Sequence, residues 1–158
     1  PNNSSLEVDF QLNYENKIIG KQKNVINFNH DDLQDVSNSR TFCLFKDIEK
    51  IKKAGLAKGG SLDNAIVVDS EKVLNKDGLR NKKEFVNHKI LDLAGDFLLS
   101  GHRILGKVKC YQGGHELTNN FLKKLLAEKS ALLITELKEI SLSKEMYSNR
   151  PIKLAVNA

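Results

Sequence analysis

The chain has 158 residues, 40% hydrophobic and 28% charged, with two cysteines and a formal net charge of +5. This length suits one domain of about 100–200 residues with a real core, and the composition excludes a disordered chain. No apolar run approaches the roughly 20 residues of a membrane span, and Cys43 and Cys110 make no disulfide framework, which points to a reducing, cytoplasmic setting.

Pro1 rather than Met opens the chain, followed by polar residues Asn2 to Ser5. That is no signal peptide, and it reads as the start of a piece trimmed from a longer protein. Leu6, Val8, Phe10 and Leu12 then alternate with Glu7, Asp9, Gln11 and Asn13, the pattern of a half-buried strand. Residues 15–23, with Asn16 and Gly20, read as a hairpin turn, and Val25, Ile26 and Phe28 continue as a second strand. A short helix is predicted over Asp31 to Val36 and an extended segment over Arg40 to Leu44. Residues 46–54 form a short amphipathic helix closed by Gly55, and Ala65 to Asp69 a buried strand, together a small βαβ-like unit.

Glu84 to Leu99 carries the strongest helix signal, weakened slightly by Gly95. Ile104 to Tyr111 reads as a strand, Gly113 and Gly114 as a break, and His115 to Glu128 as a helix. The apolar face of that last helix is predicted to be Leu117, Phe121, Leu125 and Leu122. The chain after Ser130 is weakly patterned and ends in a tail near Pro151. Strands and helices in blocks, without steady alternation, favour α+β layers.

Charge is uneven along the chain. Residues 1–40 hold 4 bases and 6 acids, residues 41–100 hold 11 and 9, and residues 101–158 hold 10 and 5, so the last segment alone carries +5. A basic segment fits an anionic partner or an ordinary lysine-rich surface, and charge alone does not separate them. Aromatic residues, at 6%, are too sparse for a base-stacking platform, which argues against a nucleic-acid module.

His88 and Asp92 lie at i and i+4 of the helix 84–99, on one face and about 5–6 Å apart at Cβ. An imidazole and a carboxylate at that spacing can share a metal ion such as zinc, or form a hydrogen-bonded surface pair. Asp96 extends the same edge by one turn, whereas Lys89 lies about 100° round the helix and need not be their counter-ion. His115 follows two glycines and heads a helix, where the positive end of the macrodipole disfavours the imidazolium. It can approach a substrate closely or serve only as a local hydrogen-bonding residue. His30 and His102 read as surface residues. A catalytic zinc needs three protein ligands and an open position. Two are visible here, with no Cys-x-x-Cys and no His-Glu-x-x-His, so the residues alone describe half of a metal site.

Three stretches make a family resemblance: SRTFCLFKDIEKIKKAGLAKGGSLDNAIVVD, VLNKDGLRNKKEFVNHKILDLAGD and GGHELTNNFLKKLLA. In this order and spacing they resemble the C-terminal half of the UDP-3-O-acyl-N-acetylglucosamine deacetylases, the zinc amidases that commit substrate to lipid A synthesis in Gram-negative bacteria. The resemblance implies an α+β two-layer sandwich, a small sheet against two helices, over residues 6–130. It implies a βαβ insert at 43–69 that walls an acyl-chain tunnel, and a C-terminal extension over 131–158. The family's first domain, which supplies a third zinc ligand and a glutamate general base, is then absent from this chain, and the active site lies between the two helix layers.

By this resemblance Zn2+ is the cofactor, with His88 and Asp92 as ligands. His115 is the residue that stabilises the oxyanion and protonates the leaving amine, oriented by Asp96. Lys89 acts at the reaction centre, and Thr41 matches a hydroxyl beside the reacting oxygen. Phe42, Phe45, Ile48, Gly60, Ser61 and Val67 match positions lining the acyl tunnel or its mouth. Tyr14, preceded by Asn13, falls where the family stacks an aromatic on uracil, its usual pattern there being Asp-Phe. Cys43 stands where glycine is common, narrowing the tunnel mouth, and Gln112 where a basic residue often meets the diphosphate. The implied reaction is metal-assisted hydrolysis of the amide of UDP-3-O-acyl-N-acetylglucosamine, cytoplasmic, without a transmembrane segment but near the membrane surface, and requiring the first domain as partner. The alternative on the same fold is a module that binds an acyl chain or nucleotide without turnover.

Overall fold

The structure, a computed structural model, describes residues 5–135, so the tail expected near Pro151 and most of the extension 131–158 lie outside the described residues. Strand β1 (Leu6–Asn13) follows the alternation read from the sequence: Val8, Phe10 and Leu12 are buried. It pairs antiparallel with β2 (Lys21–Asn27), Val8 opposite Ile26 and Leu12 opposite Gln22. The connecting loop is tied by Asn16, whose Oδ1 accepts from the backbone N–H of Ile18 and Ile19, and which thereby tucks Ile19 into the core. On its other side β1 pairs parallel with β5 (Gly106–Tyr111), Phe10 opposite Cys110, giving the sheet order β2-β1-β5.

The short helix α1 (Gln34–Ser37) leads into β3 (Thr41–Leu44). A single 3-10 turn over Phe45–Asp47 then opens α2 (Ile48–Lys53). Gly55, at φ +71°, ends α2 as predicted: its N–H donates to the Lys52 carbonyl and the Leu56 N–H to the Ile51 carbonyl. These two bonds satisfy carbonyls the helix leaves open, and the left-handed φ suits glycine. β4 (Ala65–Val68) pairs parallel with β3 as a separate two-stranded sheet, so the βαβ unit expected there is present. Its return loop hangs on Asn75, whose Nδ2 donates to the carbonyls of Leu62 and Ala65 and whose Oδ1 accepts from the Val67 N–H.

α3 (Glu84–Phe97) packs its Phe85, Val86, Ile90, Leu93 and Phe97 stripe onto the β1–β2 face. The helix predicted through Leu99 turns into a 3-10 turn at Leu98–Ser100, and the strand predicted from Ile104 begins at Gly106. α4 (His115–Ala127) lies against α3, completing a helix layer over a sheet layer. The architecture is the α+β two-layer arrangement read from the sequence. The face of α4 departs from prediction. Thr118 and Leu122 are the buried residues, whereas Leu117 is 54% and Phe121 46% exposed. Both border a cavity of about 390 Å³ between α3, α4 and the edge strand β5, and Phe121 stacks on Phe97 with ring centres 6.0 Å apart. The stripe at i and i+4 is therefore rotated by one residue from the one the hydrophobic pattern selects.

In the turn from β5 into α4, Gly113 has no room for a side chain. A Cβ on Gly113 would lie 2.3 Å from Cys110 Sγ and 3.1 Å from the Phe10 ring. Gly113→Ala is thus expected to lose about 1–3 kcal/mol by overpacking, read from chemical denaturation. Adding Cys110→Ala should recover part of that loss. A Gly113→Ala protein as stable as the parent would contradict this packing.

Candidate functional site

The chemistry-bearing residues converge where α3, the start of α4 and the ends of β1 and β3 meet. On α3, His88 Nδ1 lies 3.3 Å from Asp92 Oδ2, and Lys89 Nζ lies 3.1 Å from the same oxygen. Lys89 is therefore the counter-ion of Asp92, a role helix angle alone did not assign: its long stem reaches i+3 across the intervening angle. Burial, the largest single influence on Asp92, pushes its carboxyl up. The His88 contact and the Lys89 charge together outweigh burial and hold the carboxyl below its ordinary value, so it stays ionised.

The packing of α4 on α3 brings in a second histidine. His115 Nδ1 lies 3.0 Å from both carboxylate oxygens of Asp96, and its Nε2 points back to within 4.0 Å of Asp92 Oδ1. An Nδ1–H bonded to Asp96 is the tautomer that presents Nε2 toward the His88–Asp92 pair. The His115 side chain is 64% exposed, open to an incoming molecule, while His88, Asp92 and Asp96 are between 12% and 15% exposed. His30 and His102 are exposed, as the sequence indicated.

The His88 Nδ1 atom is buried and, despite its nearness to Asp92, makes no hydrogen bond. An unpartnered buried imidazole nitrogen beside an ionised carboxylate is a donor set that suits a divalent cation such as zinc. The fit is partial: among the described residues no group of three or more His, Cys, Asp or Glu side chains could hold a metal ion by itself.

Around this cluster the aromatic residues form a continuous path. Phe42 packs edge-on against Phe85 at 5.0 Å and against Tyr14 at 5.7 Å, and Lys89 Nζ sits 5.5 Å from the Phe42 ring centre. A desolvated ammonium over an aromatic face is attracted by the ring quadrupole, so Phe42 fixes the lysine from below. Asn13, at the end of β1, donates from Nδ2 to the Tyr111 hydroxyl at 3.2 Å.

The β3–α2–β4 unit, with Phe42, walls a cavity of about 820 Å³. The six residues matched to the tunnel or its mouth all border it: Phe42, Phe45, Ile48, Gly60, Ser61 and Val67; Thr41, matched instead to the reacting oxygen, borders it too. Thr41 thus stands on the cavity wall. Cys43 also faces the cavity, and burial, reinforced by Asp47, pushes its thiol up, so it stays protonated as a neutral wall residue. Sequence reading missed Ile51, Leu62 and Leu74 on the same wall. Ile51 follows Ile48 at i+3, and that periodicity is the signal that finds it.

The α+β layer pair thus sets two histidines, two carboxylates and a lysine together, with the lysine over Phe42 at the wall of the 820 Å³ cavity. Comparison with known proteins makes this specific. The family model for UDP-3-O-acyl N-acetylglycosamine deacetylase matches residues 1–127, and the chain belongs to that family. Relatives named UDP-3-O-acyl-N-acetylglucosamine deacetylase include proteins from Haemophilus ducreyi, 42% identical over 83% of this chain and 44% of the relative, and Pseudomonas entomophila, 40% identical over 92% and 49%. A third, from Mannheimia succiniciproducens, is 54% identical over 63% of this chain and 32% of its own length. The chain therefore spans less than half the length of these curated relatives. Among the described residues no helix is long and apolar enough to cross a membrane.

Proposed function

We propose that this chain is the second-domain half of a cytoplasmic, zinc-dependent deacetylase that hydrolyses the amide of UDP-3-O-acyl-N-acetylglucosamine in lipid A biosynthesis. Residues 6–130 are that domain, 43–69 its acyl-tunnel insert, and its partner is a first domain that lies outside these 158 residues. The observation that carries the reading is the His115–Asp96 pair with Nε2 turned toward the His88–Asp92 pair, beside a lysine that sits over Phe42, a wall residue of the 820 Å³ cavity.

His88 and Asp92 would hold the zinc, and the remaining ligand and the general base would come from the first domain. When bound, the metal supplies Lewis-acid chemistry that polarises the amide carbonyl and acidifies water. His115 does the work of this half: its Nε2 hydrogen-bonds the developing oxyanion and then hands a proton to the leaving amine. Asp96 holds the ring by Nδ1 and stabilises its charged form. Lys89, steadied by Phe42 and Asp92, adds positive charge at the reaction centre, and the Thr41 hydroxyl is assigned to the reacting oxygen by the family resemblance. The insert cavity takes the acyl chain between Ile48, Val67 and Phe45. Tyr14 and Asn13 meet the nucleotide base.

The test is an amide-hydrolysis assay of the full natural protein with UDP-3-O-acyl-N-acetylglucosamine, alongside metal analysis. His88→Ala and Asp92→Ala are expected to lose zinc and turnover together. Full turnover by either variant after chelation would remove the proposal.

A further inference from the structure

The side chain of Gln112, though at the surface, turns back onto the end of β1. Its Oε1 accepts from the Asn13 backbone N–H at 2.6 Å, and its Nε2 donates to the Asn13 carbonyl at 2.6 Å. The Gln112 N–H itself donates to the Gln11 carbonyl at 3.0 Å. One amide side chain thus completes both backbone groups of the last β1 residue, the pairing that a further strand residue would make. Gln112 holds this position at φ +54°, a left-handed conformation that non-glycine residues rarely adopt and that persists where the surroundings over-determine it. Beyond Asn13 the connection runs on without a gap: Tyr14 against Phe42, Phe42 beneath Lys89, Lys89 on Asp92.

We infer that Gln112 is a positioning residue: by clamping the Asn13 backbone at both ends it fixes the Asn13–Tyr14 pair that receives the nucleotide of the substrate. This rests on the function proposed above for its substrate class. It also assigns the position a different role from a charged diphosphate contact, because both ends of the amide are already engaged.

Two half-clamps separate the alternatives. In Gln112→Glu a carboxylate still accepts from the Asn13 N–H but offers the carbonyl no donor. In Gln112→Lys an ammonium still donates to the carbonyl but accepts nothing. Amide hydrogen exchange in the full natural protein is expected to leave the Asn13 N–H protected in the Glu variant and exposed in the Lys variant. Steady-state kinetics should show KM rising in both, by roughly threefold to tenfold, the scale of one hydrogen bond lost, with kcat nearly unchanged and a melting temperature close to the parent's. A charge role predicts opposite signs, KM falling for Lys and rising for Glu. That outcome, an unchanged KM in both, or an Asn13 amide indifferent to either substitution overturns the inference. If the parent protein shows no turnover, the proposed function fails instead. UDP affinity measured calorimetrically on the same three proteins then decides the clamp: weaker binding in both variants supports it, and equal binding or none overturns it.

Discussion

His115→Ala is expected to lower the amide-hydrolysis rate of the full natural protein by about 10²–10³-fold while leaving bound zinc in place, the scale of a lost oxyanion donor or general acid. The geometry sets both halves of that result. Nε2 is the free end of an imidazole whose other end is held by two carboxylate oxygens at 3.0 Å, so the ring is aimed before substrate arrives. His115 Nε2 lies 4.0 Å from Asp92 Oδ1, near the His88–Asp92 pair that would hold the metal, while its Nδ1 is already engaged by Asp96. Kinetics together with metal content measure the two effects separately. Zinc lost along with activity would reassign His115 as a ligand.

The largest loss of stability is expected at Glu84. Its side chain is fully buried and accepts from Arg40 Nε at 2.8 Å, from the Arg40 N–H at 3.1 Å and from the Arg80 N–H at 2.6 Å. This carboxylate opens α3, where it also meets the positive end of the helix, and Arg40 immediately precedes β3. The pair therefore ties the helix that carries His88 and Asp92 to the strand that opens the cavity. Removing one partner of a buried pair strands the other charge, so Glu84→Ala should lose about 3–5 kcal/mol. Replacing both, as in Glu84→Leu with Arg40→Met, should recover part of it: no charge is left unpaired, but the backbone N–H groups of residues 40 and 80 lose their acceptor.

The pH dependence of Glu84 has a fixed sign. Burial, the largest single influence, raises its carboxyl, but the bonds from Arg40 and Arg80 outweigh burial and hold it below the ordinary carboxylate value of 4.5. A carboxyl lowered on folding contributes stability that is present above its unfolded value and fades as pH falls through the folded one. Denaturation followed from neutral to acid pH should show this decline in the parent. In Glu84→Gln the contribution of this residue to that acid limb should be absent. An acid limb equally steep in the variant would show that other carboxylates carry it.

How far the sequence reads depends on the range of the interaction. Alternation along β1 and the 3.6-residue stripe of α3 are local signals, and both elements fold as written. The His88–Asp92 pair is equally local, one turn on one helix. The meeting of His115 with Asp96 depends instead on how α4 crosses α3, which residue types do not encode. The α4 face went astray for a related reason: Leu117 and Phe121 look like core, but β5 is the edge of its sheet, and they border an open cavity there. Arg40 and Glu84 are 44 positions apart, and each alone reads as an exposed charge. The Gln112 clamp on Asn13 spans 99 positions and exists only because β5 runs parallel beside β1. Such contacts follow from topology, which the residue pattern constrains only loosely.

The central claim is that these 158 residues hold one half of a zinc site and one half of a catalytic apparatus. It is tested most directly by metal content and amide hydrolysis of the chain alone and of the full natural protein. The chain alone should bind zinc weakly and turn over no UDP-3-O-acyl-N-acetylglucosamine, because two ligands without a base are an incomplete set, while the full protein should hold one zinc and be active. Robust zinc-dependent turnover by the isolated 158-residue chain would contradict the account.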